Sequence, residues 1–380
     1  MLGPEDRARL DALFERMRVS NDISMGYPAA KDFDYRDLYR FLQFPVNNIG
    51  DPFADATYRV ETREFEREVV AFFAELFRAP RDDWWGYVTN GGTEGNLYGL
   101  YLAREMLPNG MVYYSEQTHY SVAKNLHFLG MRHITIRSLP SGEIDYEDLR
   151  ETLKIHRDVP PIIFANIGTT MTEARDDVRR IIHMMDELAI RQRYVHSDAA
   201  LSGGYAGFLH PRPSYDFEDG ADSVAVSGHK FLGAPIPCGV VVARKRNVSR
   251  IARAIDYIGS LDTTISGSRN GITPLMLWYR IQELGVAGIR KRIEHSLELA
   301  GHLVDRLQRA SIDAWRNPNA ITVVFPPPSP ALRAKWQLAT AGSISHAIVL
   351  PNVTREQVDA LADDLIADVQ SKEATWKIFG

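Results

Sequence analysis

The chain has 380 residues, more than one simple hydrophobic core usually holds, so we expect one large domain and one smaller domain. With 45% hydrophobic and 24% charged residues, its composition is typical of a soluble globular protein. Its 44 basic and 49 acidic residues give a net charge of -5, which offers no support for nucleic-acid binding.

The sequence also argues against a membrane protein or a secreted one. Its first residues lack the apolar stretch of a secretory signal, and no run of about 20 uncharged apolar residues is present that would cross a bilayer. We therefore expect the protein in the cytoplasm. The single cysteine, Cys238, excludes an intrachain disulfide and a multi-cysteine metal site, and its apolar neighbours favour a buried thiol.

Residues 1–55 are expected to form a helix followed by a long loop. The apolar side chains near the start recur at helical spacing and are Leu10, Leu13, Phe14 and Met17. The stretch from "NDISMGYPAAKDFDY" to "FPVNNIGDPF" is dense in Gly, Pro, Asn and Asp, which favours a loop over a surface or a cleft. Residues 61–77 again show helical spacing, so a second helix is predicted there.

Residues 56–270 are expected to form a large α/β domain. Short apolar runs such as "MVYYS", "PIIFANI" and "DSVAVS" alternate there with helical stretches, which predicts a mostly parallel sheet flanked by helices. From about residue 275 the pattern becomes helical, with two further strands in "AITVVFP" and "SHAIVLP". Residues 271–380 are therefore expected to form a smaller C-terminal α+β domain.

Five polar clusters each follow one of the predicted strands. They are "TNGGTEGN", "EQTHYS", "IGTT", "SDAALSGG" and "SGHK". In open α/β sheets, ligands bind at the carboxyl ends of the strands, so we expect these clusters to form one site.

The first cluster, at residues 89–96, is suited to an anion. Its glycines let the backbone approach a ligand closely, the following helix offers free N–H groups, and Thr93 adds a hydroxyl. The alternative is an ordinary glycine-rich turn with Thr93 as the helix cap. The segment has neither the Walker lysine nor the glycine spacing of a dinucleotide site, so it gives no support for nucleotide binding.

The second feature is Asp198 in "HSDAAL". A carboxylate at a strand end inside a cleft is costly unless it faces a cation, such as a protonated heteroaromatic nitrogen. A helix-capping aspartate is the alternative. A metal site with His196 is a further alternative, although no third ligand stands at metal-binding spacing.

Lys230 lies in "VSGHKFLG", directly after a predicted strand and beside His229. A lysine amine becomes a nucleophile toward carbonyls when desolvation or a nearby cation lowers its pKa, whereas most lysines are simply solvated. An anion-binding turn, an aspartate suited to a pyridinium and a lysine suited to a carbonyl are together the parts that a pyridoxal phosphate enzyme needs. His119, in "THYS", is either a ring that stacks on such a cofactor or a loop histidine.

Several of these segments together resemble the pyridoxal phosphate-dependent histidine decarboxylases of Gram-negative bacteria, over nearly the whole chain. The matching segments include "TNGGTEGN", "THYSVAK", "HSDAALSGG", "VSGHKFLGAPIPCGVVVA", "ISGSRNG" and "AWRNPNAITVVFP". Plant serine decarboxylases are also similar, particularly in "NNIGDPF" and "WQLATAGSISHAIVLPNVT". The resemblance implies a fold-type I enzyme that binds pyridoxal 5'-phosphate and forms a homodimer in which both chains build each active site.

The resemblance also implies a role for each matching residue. Lys230 would bind the cofactor aldehyde covalently, Asp198 would pair with the pyridine nitrogen, and His119 would stack on the ring. Tyr257 would protonate the substrate carbon after carbon dioxide leaves. The residues placed around the cofactor are Ala200 on the other ring face, Gly92, Thr93, Ser227 and His229 at the phosphate end, and Ser268 and Arg269 at the cofactor of the neighbouring subunit.

The resemblance implies α-decarboxylation of L-histidine to histamine and carbon dioxide. Three departures concern the substrate: Ala320 stands where the bacterial enzymes have serine, Ile272 replaces a histidine, and Ser197 replaces an alanine. Decarboxylation of L-serine to ethanolamine, or of another amino acid, is therefore an alternative. An aminotransferase and a non-enzymatic binding protein with the same fold are alternatives from other classes.

Overall fold

The computed structural model describes residues 2–255 and 259–379, with side chains described as far as Ser371. The chain divides into two compact units, Ala29–Ile293 and Met1–Pro28 with Glu294–Gly380. The boundaries predicted after residues 55 and 270 remain predictions. Within the described residues, none of the helices combines the length and apolar character that a membrane span requires.

The larger unit contains a seven-stranded sheet with the order β1-β7-β6-β5-β4-β2-β3. The five neighbouring strands β6, β5, β4, β2 and β3 are parallel to one another. Strand β7 runs antiparallel to both of its neighbours, β1 and β6. The strands are β1 Trp85–Thr89, β2 Met111–Ser115, β3 His133–Ile136, β4 Pro161–Asn166, β5 Tyr194–Asp198, β6 Ser223–Ser227 and β7 Gly239–Ala243. Every residue of β4, β5 and β6 is buried, as expected for central strands of a sheet covered on both faces.

Helices connect these strands, so the predicted strand-helix alternation is confirmed. They are α2 Arg63–Leu76, α3 Gly92–Met106, α4 Ser121–Leu129, α5 Tyr146–Ile155, α6 Val178–Glu187, the short α7 Lys245–Val248 and the first part of α8 Ile272–Arg309. A hairpin of β8 Arg253–Ile255 and β9 Ser260–Asp262 follows α7. Local signals define several helix ends: the Asp145 side chain accepts from the first N–H groups of α5, and Gly130 ends α4 in the left-handed region at a φ of 62°.

The long loop predicted near the N-terminus is present and contains a 3-10 helix at Arg36–Gln43. Part of it is core, since Tyr35 and Leu38 are buried in a cluster with Leu275 and Met276 of α8. α8 is interrupted at Gly285, whose φ of 56° is one that glycine adopts without strain.

The smaller unit contains a three-stranded antiparallel sheet with the order β10-β12-β11. Its further elements are α1 Pro4–Ile23, the remainder of α8, β10 Thr322–Phe325, α9 Pro330–Trp336, β11 Ala339–Ala341, β12 Ile344–Ile348 and α10 Arg355–Phe379. The chain after α1 joins this sheet, because Ile348 N donates to Met25 O at 2.7 Å. The predicted first helix is thus present, but its apolar side chains Leu10, Leu13, Phe14 and Met17 are exposed in the single chain.

Candidate active site

The loops that follow five strands meet at one edge of the seven-stranded sheet. Strands β2, β4, β5 and β6 run parallel, and β1 has the same direction because both β1 and β6 are antiparallel to β7. Their carboxyl ends therefore share an edge, and each of the five polar clusters begins there. The topology brings the predicted site segments together, although they span more than 130 residues of sequence.

The start of α3 lies tightly against the loops after β5 and β6. A Cβ atom on Gly92 would stand 2.7 Å from Ser227 Oγ and 3.0 Å from Ala200 Cβ, so only glycine fits this position without a shift. Gly91, with a φ of 143°, lies 4.0 Å by the same measure from His229 Cε1. The first N–H groups of a helix lack helical acceptors, and here Ser227 and His229 stand beside them. This combination can bind a phosphate, and the exposed Thr93 is in the first turn of the same helix.

The backbone of Cys238, the residue before β7, contacts the imidazole of His229. Its Nδ1 lies 2.9 Å from the carbonyl oxygen and 3.2 Å from the backbone nitrogen of Cys238. Burial lowers the pKa of His229, and the hydrogen bond to Cys238 opposes that shift. Cys238 itself is buried, as predicted, and burial raises the pKa of its thiol to about 12, so it carries no charge into the site.

Asp198 ends β5, and its carboxylate is buried and held at both oxygens. Oδ2 accepts a hydrogen bond from Asn96 Nδ2 at 2.8 Å, and Oδ1 accepts from the backbone N–H of Ala200 at 3.0 Å. The carboxylate of Asp198 is therefore fixed in place at the site and does not cap a helix, and its predicted pairing with a pyridine nitrogen stays a prediction.

Lys230 follows β6, the strand next to β5, at the same edge of the sheet. Burial lowers the pKa of the Lys230 amine, while the nearby carboxylate of Asp198 opposes this shift. A lowered pKa raises the fraction of neutral amine at pH 7, and the neutral amine is the nucleophile. The backbone of Lys230 is also anchored, since Ala30 N donates to its carbonyl oxygen at 3.0 Å.

His119 lies just before α4, where its Nδ1 is 2.8 Å from the Ser121 hydroxyl. Burial lowers the pKa of His119, the charge of Asp198 raises it, and the charge of Lys230 lowers it. All three side chains are thus close enough for their charges to interact. A neutral, half-buried imidazole at this place offers a flat face on which an aromatic ring can stack.

Two other predicted cofactor residues have partners within their own chain. The buried Arg269 pairs with Glu66, and its Nη2 donates to the Gly50 carbonyl oxygen at 3.0 Å. Ser268 Oγ accepts from Asn47 Nδ2 at 3.1 Å. These contacts give Arg269 a structural role that the sequence did not indicate, and the proposed reach of both residues to a neighbouring subunit's cofactor stays a prediction.

The three positions that depart from the family pattern have separate environments. Ser197 is buried and donates to the Tyr215 carbonyl oxygen at 2.7 Å, which gives its hydroxyl a structural partner. Ile272 begins α8 and packs against the cluster of Tyr35 and Leu38. Ala320 is buried in the smaller unit, where its carbonyl accepts from Arg316. Contact of Ile272 or Ala320 with substrate stays a prediction.

Tyr257, the predicted proton donor, lies outside the described residues. Over the described ranges, no group of three or more His, Cys, Asp or Glu side chains is arranged to hold a metal ion. Sequence reasoning missed one contributor, Asn96, which holds Asp198. Its position one helical turn after Gly92, on the same face of α3, was the available signal.

The side chains gathered here fit pyridoxal 5'-phosphate. The glycine cradle at the start of α3, with Ser227 and His229 beside it, suits the phosphate. The amine of Lys230 suits the aldehyde, and the pinned carboxylate of Asp198 suits a protonated ring nitrogen.

The chain is similar to known pyridoxal-dependent decarboxylases over most of its length. The profile of the pyridoxal-dependent decarboxylase conserved domain matches residues 47–325. Histidine decarboxylase from Mesorhizobium japonicum is 52% identical over 365 residues, which are 96% of this chain and 99% of that protein. Histidine decarboxylase from Pseudomonas fluorescens is 48% identical over 97% of this chain and 92% of its own.

Solved structures extend the likeness to the fold. L-methionine decarboxylase from Streptomyces sp.590 is similar with a TM-score of 0.89 at 30% identity, over 97% of this chain and 96% of that one. The predicted fold-type I architecture, the cofactor pyridoxal 5'-phosphate and the carboxy-lyase activity are confirmed by these matches. The chain belongs to the pyridoxal-dependent decarboxylase family.

Proposed function

We propose that the protein decarboxylates L-histidine, giving histamine and carbon dioxide. The observation that carries this proposal is the 52% identity to the Mesorhizobium japonicum histidine decarboxylase over nearly the full length of both chains. L-serine, which would give ethanolamine, is the runner-up substrate. Family membership alone does not choose between amino acids, since the similar Streptomyces enzyme is named an L-methionine decarboxylase.

Each residue at the sheet edge has a proposed task in this reaction. Lys230 would provide the amine that binds the cofactor aldehyde. The start of α3, through Gly92 and Thr93, binds the phosphate together with Ser227 and His229. The cofactor supplies, when bound, an electron-withdrawing ring that accepts the electron pair left by the departing carbon dioxide.

The remaining side chains govern charge and geometry at the ring. Asp198, whose carboxylate two donors fix in place, would face the ring nitrogen of the cofactor and favour a proton on it. His119 covers one ring face and Ala200 the other. Tyr257 returns a proton to the substrate carbon, a role that the family resemblance alone supports.

The substrate assignment predicts the outcome of a direct assay. Purified enzyme with the cofactor is incubated separately with each of the twenty amino acids, and amine and carbon dioxide are measured. Histamine is expected at the highest kcat/KM. Ethanolamine as the main product would show that the substrate is L-serine and not L-histidine. A keto acid formed without carbon dioxide would instead indicate an aminotransferase. A Lys230→Ala preparation controls for contaminating decarboxylases.

We also propose a homodimer. Large apolar side chains are exposed on α1, where Phe14 is 66% and Met17 62% exposed, and a second exposed group in the larger unit contains Tyr39, Leu42 and Phe44. Exposed apolar surface of this kind is typical of an interface.

The dimer proposal is tested by light scattering. The wild-type protein is expected to show twice the mass of one chain at micromolar concentration, and a double Phe14→Glu, Met17→Glu variant is expected to shift toward one chain, because charges would replace apolar contact surface. Arg9→Glu on the same helix serves as a surface-charge control. A wild-type protein of single-chain mass would contradict the proposal.

A further inference from the structure

A row of four hydrogen bonds leads through the interior of the larger unit to the carboxylate of Asp198. All five side chains in it are buried, and they come from β5, β6 and α3. The bonds are Tyr194 Oη to Ser223 Oγ at 2.9 Å, Ser223 Oγ to His196 Nδ1 at 2.8 Å, His196 Nε2 to Asn96 Oδ1 at 2.9 Å and Asn96 Nδ2 to Asp198 Oδ2 at 2.8 Å.

The chemistry of the groups sets one direction for the protons in this row. A charged Asp198 only accepts, so the amide nitrogen of Asn96 must face it and the amide oxygen must face His196. That oxygen in turn requires a proton on His196 Nε2. Burial lowers the pKa of His196 to about 3, so the ring is neutral at pH 7 and its Nδ1 accepts from Ser223.

The far end of the row is consistent with the same direction. Ser223 uses its single proton toward His196, so its oxygen accepts from the Tyr194 hydroxyl. Burial raises the pKa of Tyr194, which therefore keeps its proton. Each of the four bonds thus has one donor and one acceptor, and every bond points toward Asp198.

The surrounding packing is shaped to admit this imidazole. A Cβ atom on Gly99 of α3 would stand 2.1 Å from His196 Nδ1, so the absence of a side chain at residue 99 makes room for the ring. On the neighbouring strand, the Phe164 ring centre lies 5.2 Å from that of His196. An apolar side chain would fill this space without leaving polar atoms to satisfy, so the buried polar row calls for an explanation beyond packing.

We propose that Asn96 and His196 are positioning residues for decarboxylation, which act by holding Asp198 charged and aimed at the ring nitrogen of the cofactor. This inference rests on the proposed role of Asp198. Ser223 fixes the tautomer of His196, and Tyr194 ends the row. Donors that are themselves hydrogen-bonded in the same direction are polarised and bind a carboxylate more strongly.

The test reads the proton on the ring nitrogen directly. Holoenzymes are prepared with pyridoxal 5'-phosphate that carries an isotopic label in the ring nitrogen, and its NMR shift is recorded without substrate at several pH values. Wild-type enzyme is expected to keep the ring nitrogen protonated. Asn96→Ala and His196→Leu are expected to lose that proton at lower pH than wild type and to reduce kcat by about tenfold to a hundredfold.

Matched variants separate positioning from simple packing. Phe164→Leu removes volume beside the same imidazole but no hydrogen bond of the row, and is expected to keep the wild-type ring shift. His196→Gln retains one donor and one acceptor, and is expected to recover most of the protonation that His196→Leu loses. Tyr194→Phe removes only the most distant donor, so its effect is expected to be the smallest.

Unchanged ring protonation in both Asn96→Ala and His196→Leu would overturn the proposal. Should His196→Leu fail to fold, Asn96→Ala decides by the same measurement. An independent check uses NMR of wild-type enzyme with isotopically labelled histidine, in which the His196 signal is assigned by comparison with His196→Gln. His196 is expected to be neutral with its proton on Nε2. A proton on Nδ1 would contradict the direction of the row. Failure to form histamine would count against the proposed substrate alone, since the NMR measurements on the ring nitrogen and on His196 are made without an amino-acid substrate.

Discussion

Lys230→Ala is expected to abolish decarboxylation, with kcat reduced by roughly 10⁴-fold or more. The reason is chemical, because alanine has no amine to bind the cofactor aldehyde or to release the product. Burial lowers the pKa of the Lys230 amine against the opposing charge of Asp198, which makes this amine more reactive at neutral pH than that of a solvated lysine. Steady-state amine release from the purified variant measures the effect.

A second variant separates the nucleophile from the charge at this position. Lys230→Arg keeps a cation near Asp198, but a guanidinium is not deprotonated at neutral pH and cannot act as a nucleophile, so it is also expected to be inactive. In wild-type enzyme, borohydride reduction followed by peptide mass spectrometry should attach the cofactor to the peptide that contains Lys230. Attachment to another lysine, or near-normal turnover in Lys230→Ala, would remove this residue from its proposed role.

Asp198→Asn is expected to lower kcat by about 10²-fold to 10³-fold and to weaken cofactor binding. The amide has nearly the same shape as the carboxylate but no charge, so it cannot hold the proton on the ring nitrogen. Its NH₂ group would also oppose the donor groups of Asn96 and Ala200 that now face the two oxygens. Measured kcat and the apparent Kd for pyridoxal 5'-phosphate test both effects.

Asp222→Asn provides the matched control. Asp222 also has a largely desolvated carboxylate, which accepts a hydrogen bond from Val195 N at 3.0 Å. It lies at the amino-terminal ends of β5 and β6, whereas Asp198 lies at the carboxyl end of β5. Neutralising Asp222 removes a carboxylate that borders the same pair of strands, at the end away from the site. We expect near-normal kcat in this variant, and a similar loss in both variants would indicate a general effect of charge removal on the fold.

Much of the catalytic site was predictable from local sequence. Asp198 ends a predicted strand, Lys230 and His119 follow predicted strands within a few residues, and the order of strands and helices predicted a mostly parallel sheet. In such a sheet the carboxyl ends of strands share an edge, so local position already predicted that these residues meet. The glycines at 91 and 92 likewise predicted a turn whose backbone can approach an anion closely.

Partners of buried polar groups were not predictable in the same way. His196 Nε2 bonds to Asn96, which is 100 residues away, and Arg269 pairs with Glu66, which is 203 residues away. Such pairs depend on strand order and on how α2 and α3 pack against the sheet. A histidine two positions before an aspartate was interpreted only as a possible metal ligand, because sequence spacing does not reveal which ring nitrogen faces which neighbour.

The sequence by itself determined the alternation of strands and helices and the cofactor chemistry, and it proposed Lys230 as the reactive lysine, because periodicity and residue chemistry are local properties. Tertiary structure decided that Asp198 is held by a buried row of donors, that Ser197 is satisfied within the core, and that the apolar face of α1 is exposed in the single chain. Those properties depend on distances between distant segments, which are set only when the sheet and its covering helices are assembled.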